Sequence, residues 1–120
     1  MHKIDNLKIW NRALELCKDV YELSKELPKT EEYGLRSQIK RCAISIPSNI
    51  AEGAGRNSTK EFVHFLSIAN GSSYELQTQL ILLSELNLIE KSKIEPVINR
   101  VVEIQKMNYV FQKYLSSRSK

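Results

Sequence analysis

The sequence predicts an all-α protein, an antiparallel up-down-up-down bundle of four helices. Four segments carry apolar residues at alternating spacings of three and four, which is the period of a buried helix face. Only four Gly and three Pro occur in 120 residues, too few for the many turns of an all-β fold. The segments are joined by short turns, which place consecutive helices side by side and antiparallel.

Length and composition favour one soluble globular domain over residues 1–120, because 42% of the residues are hydrophobic and 27% are charged. No run of about 18 uncharged apolar residues is present, so no membrane-spanning segment is expected. The first ten residues lack the apolar core of a secretory signal, which favours a cytoplasmic location. The predicted helices cover residues of about 5–27, 31–55, 59–87 and 93–116.

The first predicted helix ends before Pro28, because the residue preceding a proline is driven out of the α region. Asp5 or Asn6 can cap its start. Trp10 is expected in the core rather than in a recognition site, since it lies on the predicted buried stripe. That stripe comprises Leu7, Trp10, Leu14, Cys17, Tyr21 and Ser24, and it is widened by Ala13, Val20 and Leu27.

The second predicted helix has Thr30 as its potential N-cap and Pro47 in its interior, where we expect a kink rather than a break. Asn49 and Glu52 lie beside the stripe, and a hydrogen bond to a neighbouring helix would satisfy them. Gly53 ends the helix or allows another backbone to approach closely. The buried stripe comprises Leu35, Ile39, Cys42, Ala43, Ile46, Ile50 and Gly53.

The third predicted helix opens with the capping-box pattern of Ser58 to Glu61. Its second half is apolar nearly all round, which indicates cover from its own domain or from a partner subunit. The small residues from Ala69 to Ser73 include Gly71, which costs about 1 kcal/mol of helix propensity relative to Ala. A close approach of another helix would explain them. The buried face comprises Phe62, Phe65, Leu66, Ala69, Ser72, Ser73, Leu76, Leu80 and Leu83, with Ile68, Ile81, Leu82 and Leu86 on other faces.

The fourth predicted helix opens with a second capping-box pattern, Ser92 to Glu95, and Pro96 is assigned to its first turn. A regular apolar stripe then continues almost to the end of the chain. The stripe comprises Val97, Val101, Ile104, Asn108, Phe111 and Leu115.

Positive charge is concentrated in two stretches of the chain. Residues 33–60 carry five basic residues and one acidic residue, and residues 91–120 carry seven and two. Basic helix faces can neutralise phosphates without reading bases. A solvated surface explains the same residues equally well, and the lack of interleaved aromatic residues argues against a single-strand platform. The candidate phosphate contacts are Arg36, Lys40, Arg41, Arg56, Lys60, Lys106 and Lys113, with Arg118 as an extension.

The sequence contains no convincing catalytic or cofactor site. Glu61 and His64 have the Glu-x-x-His spacing of bundle metal sites, but a dinuclear site needs a second such motif and two further Glu. His2 lies in the terminal segment. Ser37 and Lys40 match a short acyl-enzyme pattern without its companion motifs. Cys17 and Cys42 are expected to be free buried thiols. No enzyme activity, cofactor or metal is therefore predicted.

The central stretch resembles proteins encoded in intervening sequences of bacterial 23S rRNA genes. The resemblance is carried by the segment Ser45-Ile46-Pro47-Ser48-Asn49-Ile50-Ala51-Glu52-Gly53, by residues 35–43 before it, and by residues from Trp10 to Leu76 around it. Cys42 stands where the family more often has Ala, a change that its volume makes tolerable.

The resemblance implies an antiparallel four-helix bundle that assembles as a homopentamer. The fold of this family is also that of the accessory protein of diversity-generating retroelements, whose basic pentamer binds nucleic acid and a reverse transcriptase. The resemblance also implies that a cluster of polar and small residues serves packing and assembly rather than catalysis. This cluster comprises Asn49, Glu52, Gly53, Ala69 and Gly71.

Two hypotheses follow from the residues and the resemblance. The first is a non-enzymatic homo-oligomeric module that binds RNA or DNA through its basic surface. The second is a structural or protein-interaction scaffold without affinity for nucleic acid, whose partner is another protein such as a reverse transcriptase.

Overall fold

The structure is a computed structural model that describes residues 3–118, and it confirms the all-α fold class. The four helices are α1 (Lys8–Ser24), α2 (Leu35–Ala54), α3 (Thr59–Glu85) and α4 (Lys91–Arg118). Two single 3₁₀ turns lie at Ile4–Asn6 and Lys29–Glu31. The bundle measures 49 × 22 × 20 Å. None of the described helices combines the length and apolar character that crossing a membrane requires.

Contacts between side chains establish the directions of the helices. Ion pairs join α1 to α4 in opposite chain order, from Arg12–Glu103 to Asp19–Arg100. Contacts between the other adjacent helices run in the same reversed order, so each helix is antiparallel to its neighbours. The extensive contacts are α1–α2, α2–α3, α3–α4 and α1–α4. Consequently α2 and α4 occupy diagonal corners of the bundle.

The core follows the predicted stripes closely in three of the four helices. In α2 the predicted residues from Ile39 to Gly53 are buried, and Pro47 and Ala54 join them. In α4 all the predicted residues are buried except Phe111, which is half-buried, and Ile94 is added. The predicted residues Phe65 and Ser72 of α3, like Leu35 of α2, are only half-buried. The buried residues of α3 are Phe62, Leu66, Ala69, Ser73, Leu76, Leu80 and Leu83.

The predicted stripe of α1 is displaced by about one position. Trp10 and Cys17 are only half-buried, and Tyr21 is 40% exposed. The stripe was ambiguous because this helix carries apolar residues on adjoining faces, and period alone does not identify the face that meets the neighbours. The residues that are buried are Ile9, Ala13, Leu16, Val20, Leu23 and Ser24, followed by Leu27.

Helix α2 continues through Pro47, which confirms that proline does not break it, while the predicted kink stays a prediction. Proline has no N–H, so the carbonyl four residues earlier, that of Ala43, loses its usual helical donor. The thiol of Cys17 in α1 donates to this oxygen, with a distance of 3.1 Å between Sγ and O. Cys17 therefore replaces the hydrogen bond that Pro47 removes.

The two central glycines have opposite surroundings. A Cβ placed on Gly53 would lie 2.8 Å from Cβ of Phe65 and 3.2 Å from the backbone oxygen of Phe62. Gly53 thus permits the close approach of α2 and α3. This is one of the two roles that the sequence predicted for it. A Cβ on Gly71 would meet nothing within 4 Å. Gly71 therefore has no packing role within the chain, and its role in assembly stays a prediction.

The helix ends agree only partly with the capping predictions. The Ser58 hydroxyl accepts the N–H of Glu61 at 3.1 Å, as the first capping box predicts. The second box is wrong, because α4 begins at Lys91, before Ser92, and Pro96 lies beyond its first turn. Helix α2 begins at Leu35 rather than near residue 31, because residues 29–31 form a 3₁₀ turn. Beyond the last residue of α3, Asn87 adopts a left-handed conformation with a φ of 57°.

Charged side chains hold α1 against α4. Arg100 contacts Glu15 at 2.8 Å and Asp19 at 2.7 Å. The hydrogen bond from Arg100 lowers the pKa of Glu15 below its ordinary value of 4.5. A carboxyl group whose pKa is lowered by folding stabilises the fold at neutral pH. This stabilisation begins to decrease when the pH falls below the ordinary pKa of the group, and it is lost as the pH falls through the lowered pKa.

Replacing each central glycine by alanine should change stability in opposite directions. Gly53→Ala should lower the free energy of unfolding by about 1–2 kcal/mol, since overpacking against the α3 backbone outweighs the gain in helix propensity. Gly71→Ala should raise it by up to about 1 kcal/mol in the dissociated chain, because within one chain its methyl group meets open space. Urea unfolding followed by circular dichroism, at a protein concentration low enough to keep the chains dissociated, measures both. A neutral Gly53→Ala would contradict the close approach.

Substitutions of Cys17 test the replaced hydrogen bond. Cys17→Ala should destabilise the protein by about 1–3 kcal/mol, because the Ala43 carbonyl is left without its donor. Cys17→Ser keeps a donor and should retain most of the stability. Urea unfolding compares the two variants, and equal losses would show that the thiol contributes packing alone.

Candidate nucleic-acid interface

An open groove lies between the end of α1 and the first turns of α2. We call it the α1–α2 groove. It has a volume of about 580 Å³. Three of the predicted phosphate contacts line it, and one acidic residue does. Its lining comprises Tyr21, Glu32, Tyr33, Arg36, Ser37, Lys40, Arg41 and Ile44.

Arg36 is engaged in holding the turn between α1 and α2. Its guanidinium donates to the carbonyl oxygen of Leu27 and lies 3.8 Å from the carboxylate of Glu32. Its side chain is only 21% exposed. Arg36 therefore positions the groove rather than presenting a free charge to solvent.

Lys40 and Arg41 are the adjacent cations of this groove. The ammonium of Lys40 lies 5.0 Å from the centroid of the Tyr21 ring, a cation–π contact. Arg41 is exposed. Within residues 3–118 neither side chain has a carboxylate at ion-pair distance. Both charges are therefore available to an external anion.

Arg56 and Lys60 lie at the other end of the bundle. Arg36 lies in the first turn of α2 and Arg56 lies just past its end, so the 20 residues of α2, about 30 Å of helix, separate them. Arg56 pairs with Glu52 at 2.8 Å and lies 4.8 Å from the Phe65 ring centroid. The structure does not bring these two cations together with the α1–α2 groove.

Lys106 and Lys113 are exposed on α4, at the corner diagonal to α2. Lys113 lies 5.2 Å from the ring centroid of Tyr109, and Arg118 contacts the ring of Tyr114 in the same way. The predicted basic residues therefore form separate groups on opposite corners and at opposite ends. They do not form one continuous patch.

The predicted packing cluster lies mainly between α2 and α3. The hydroxyl oxygens of Ser45 and Ser72 are 2.7 Å apart and bridge the two helices. The Asn49 amide donates to the Ser45 carbonyl and hydroxyl, so it completes this network from within α2. Ala69 is fully buried, whereas Glu52 is exposed.

The cysteine thiols are poorly suited to nucleophilic chemistry. Burial raises the pKa of Cys17 from its ordinary 9.0 to about 11. Burial, followed by the negative charge of Glu75, raises the pKa of Cys42 to about 11. Both thiols are free and almost wholly protonated at neutral pH, and the reactive form is the thiolate.

Potential metal ligands are dispersed in the described part of the chain. No three His, Cys, Asp or Glu side chains of residues 3–118 are grouped as metal ligands. His64 packs edge-on against Phe65, with ring centroids 5.4 Å apart. His2 lies outside the described residues. We therefore assign no metal-binding role to the Glu61–His64 pattern.

Sequence reasoning missed the aromatic residues of the groove. Tyr21 was assigned to the core, and the basic patch was described as lacking aromatic residues. The structure corrects this, since Tyr21 and Tyr33 both line the groove beside Lys40 and Arg41. Tyr33 is 92% exposed. An aromatic residue within the turn next to Gly34 was the available signal, although its neighbours become apparent only in three dimensions.

Comparisons with known proteins identify relatives of the whole bundle. The model of the 23S rRNA-intervening sequence protein family matches residues 5–110. A crystal structure of a protein of unknown function from the S23 ribosomal protein family of Bacteroides thetaiotaomicron is similar, with 28% identity and a TM-score of 0.82. The similarity covers 88% of this chain and 98% of that one. Among curated proteins, no sequence matches.

Proposed function

The chain belongs to the 23S rRNA-intervening sequence protein family, and we propose that it is a non-enzymatic, homo-oligomeric module that binds polynucleotides. One observation carries the proposal. The cations Lys40 and Arg41 are adjacent, lie on an open groove and have no carboxylate partner in the described chain. Neither the family description nor the similar structure names an enzymatic activity.

The arrangement of the other charges supports this proposal. Arg12, Lys93 and Arg100 are neutralised by carboxylates across the α1–α4 contact. Lys40 and Arg41 have no such carboxylate partner, so the positive potential of their side chains extends into solvent. A phosphate backbone is the polymeric anion that such a surface attracts, with an affinity that falls as salt rises.

Self-association is the second part of the proposal. Three residues of α3 and the residue directly after it leave 40–56% of their surfaces exposed: Ile68, Ile81, Leu82 and Leu86. Gly71 lies on the same helix with open space beside it, so a helix from a second copy can approach closely there. Burying this surface in an oligomer removes it from water. The family resemblance favours a pentamer.

Polynucleotide titrations at several salt concentrations test the basic surface. The variant Lys40→Glu/Arg41→Glu should bind labelled RNA or DNA more weakly. Its plot of log affinity against log salt should be flatter by about 1.4 for a single strand, because two phosphates lose their contacts. The matched control is Lys106→Glu/Lys113→Glu, which reverses two charges at the diagonal corner. Equal losses in both variants would contradict a site centred on α2.

Mass measurement by light scattering tests the assembly. The protein should have a multiple of the 13.9 kDa chain mass, with five copies expected. Ile68→Glu/Leu82→Glu should reduce that mass, because burying two carboxylates in an apolar contact is unfavourable. Lys106→Glu/Lys113→Glu on α4 serves as the control and should keep the full mass. A monomer at micromolar concentrations would refute the assembly.

A scaffold without affinity for nucleic acid is the alternative function. It is favoured by a second groove of about 470 Å³ between α3 and α4. This groove combines the apolar side chains of Ile81 and Ile98 with the carboxylate of Glu85 and with the ion pair between Lys91 and Glu95, whose atoms are 3.8 Å apart. Such a surface suits an amphipathic protein segment that carries basic residues. Absence of polynucleotide binding at low salt would favour this alternative.

A further inference from the structure

The α1–α2 groove contains more apolar surface than phosphate binding requires. Tyr33 is 92% exposed, Ile44 is 44% exposed and Tyr21 is 40% exposed. All three line the same groove as Lys40 and Arg41. Single exposed apolar residues are common on protein surfaces, but three in one groove form a patch.

Tyr33 does little for the fold of its own chain. It lies in the turn between the 3₁₀ segment Lys29–Glu31 and the start of α2 at Leu35. At 92% exposure it buries almost no surface, so its ring contributes almost nothing to the hydrophobic core. An aromatic ring in this position is free to make a planar contact with an incoming group.

We propose that the α1–α2 groove stacks an unpaired nucleobase on Tyr33, so that the protein prefers single strands or loops to duplexes. This inference rests on the proposed polynucleotide binding and specifies the kind of polynucleotide. Aromatic rings beside cations are the combination by which single-strand binders hold bases and backbone together. The Lys40 ammonium lies near the Tyr21 ring, which makes Tyr33 the more open platform.

The cations of the groove are placed to hold the phosphates of the stacked nucleotide. Lys40 and Arg41 line the same groove as Tyr33. The Ser37 hydroxyl and the Glu32 carboxylate, also in the lining, can accept hydrogen bonds from base amino groups. From Arg36 to Ile44, α2 extends about 12 Å, which accommodates no more than about four stacked bases at 3.4 Å spacing. The site is therefore short.

Charge and stacking make opposite predictions about duplexes. Double-stranded DNA has a higher linear charge density than a single strand, so a surface that recognises phosphates alone binds the duplex at least as well. In a duplex the bases are already paired and stacked, so their faces are not available to Tyr33. A preference for the single strand therefore reports stacking rather than charge.

The test compares binding of a labelled single strand, a hairpin with an unpaired loop and a blunt duplex, each as RNA and as DNA. The unmodified protein should bind the single strand and the loop more tightly than the duplex. Tyr33→Ala should weaken single-strand binding about 5- to 150-fold, the range given by one lost stacking contact. Its salt slope should not change, because tyrosine carries no charge. Tyr33→Phe should retain the affinity.

The matched control is Tyr109→Ala. Tyr109 is another exposed tyrosine beside a lysine, but it lies on α4, outside the groove. This variant should bind the single strand as the unmodified protein does. Equal losses at Tyr33 and Tyr109 would overturn the assignment to the groove. Circular dichroism should show all three variants folded, since both side chains are exposed.

The outcomes separate this inference from the proposed function. Binding of duplex at least as tight as that of single strand, with no effect of Tyr33→Ala, would overturn base stacking and leave phosphate binding in place. The absence of binding to every polynucleotide at low salt would overturn both. Preference for the single strand together with loss in Tyr33→Ala supports both.

Discussion

The continuity of α2 through Pro47 is the constraint on which the rest of the bundle depends. Helix α2 contacts both α1 and α3, and its two ends carry different features. Its first turns line the α1–α2 groove, whereas Gly53 near its end admits the close approach of α3. A break at Pro47 would disconnect these two regions. The Cys17 thiol supplies a donor to the carbonyl that proline leaves free, so α1 stabilises the helix from outside.

The distribution of ion pairs explains why the uncompensated basic residues lie on the side of α1 that faces α2. Carboxylates of α1 face α4 and neutralise Arg100 and Lys93. The opposite side of α1 faces α2, and there Tyr21 rather than a carboxylate meets Lys40. The same helix therefore cancels charge on one side and leaves it uncancelled on the other. Net charge alone, at +4, would not reveal this division.

The sequence was sufficient for the fold class and for most of the core, because the apolar period is regular in α2, α3 and α4. It was insufficient where two faces of a helix carry apolar residues, as at Trp10 and Tyr21 in α1. The capping box at Ser58 was recognised correctly, but the one at Ser92 was not, since a local pattern does not exclude an earlier start.

The candidate site was only half accessible to sequence reasoning. The cations Lys40 and Arg41 could be named from charge alone. Their separation from Arg56 and Lys106 could not be predicted from the sequence. It depends on which helices lie at diagonal corners and on which helix ends lie at the same end of the bundle. Tyr33 lies seven residues before Lys40 in the chain, outside the helix that carries the charges, so no helical pattern relates the two.

The attachment of the turn by Arg36 has a consequence for the entropy of binding. A flexible loop must be ordered when it takes up a ligand, and that ordering subtracts from the affinity. Here the guanidinium of Arg36 holds the Leu27 carbonyl on one side of the turn and Glu32 next to Tyr33. The backbone below the tyrosine is thus already restrained in the free protein, so ligand binding at the groove would have to order side chains but not this turn. Preorganisation of this kind would lower the entropic cost of the binding that we propose for this groove.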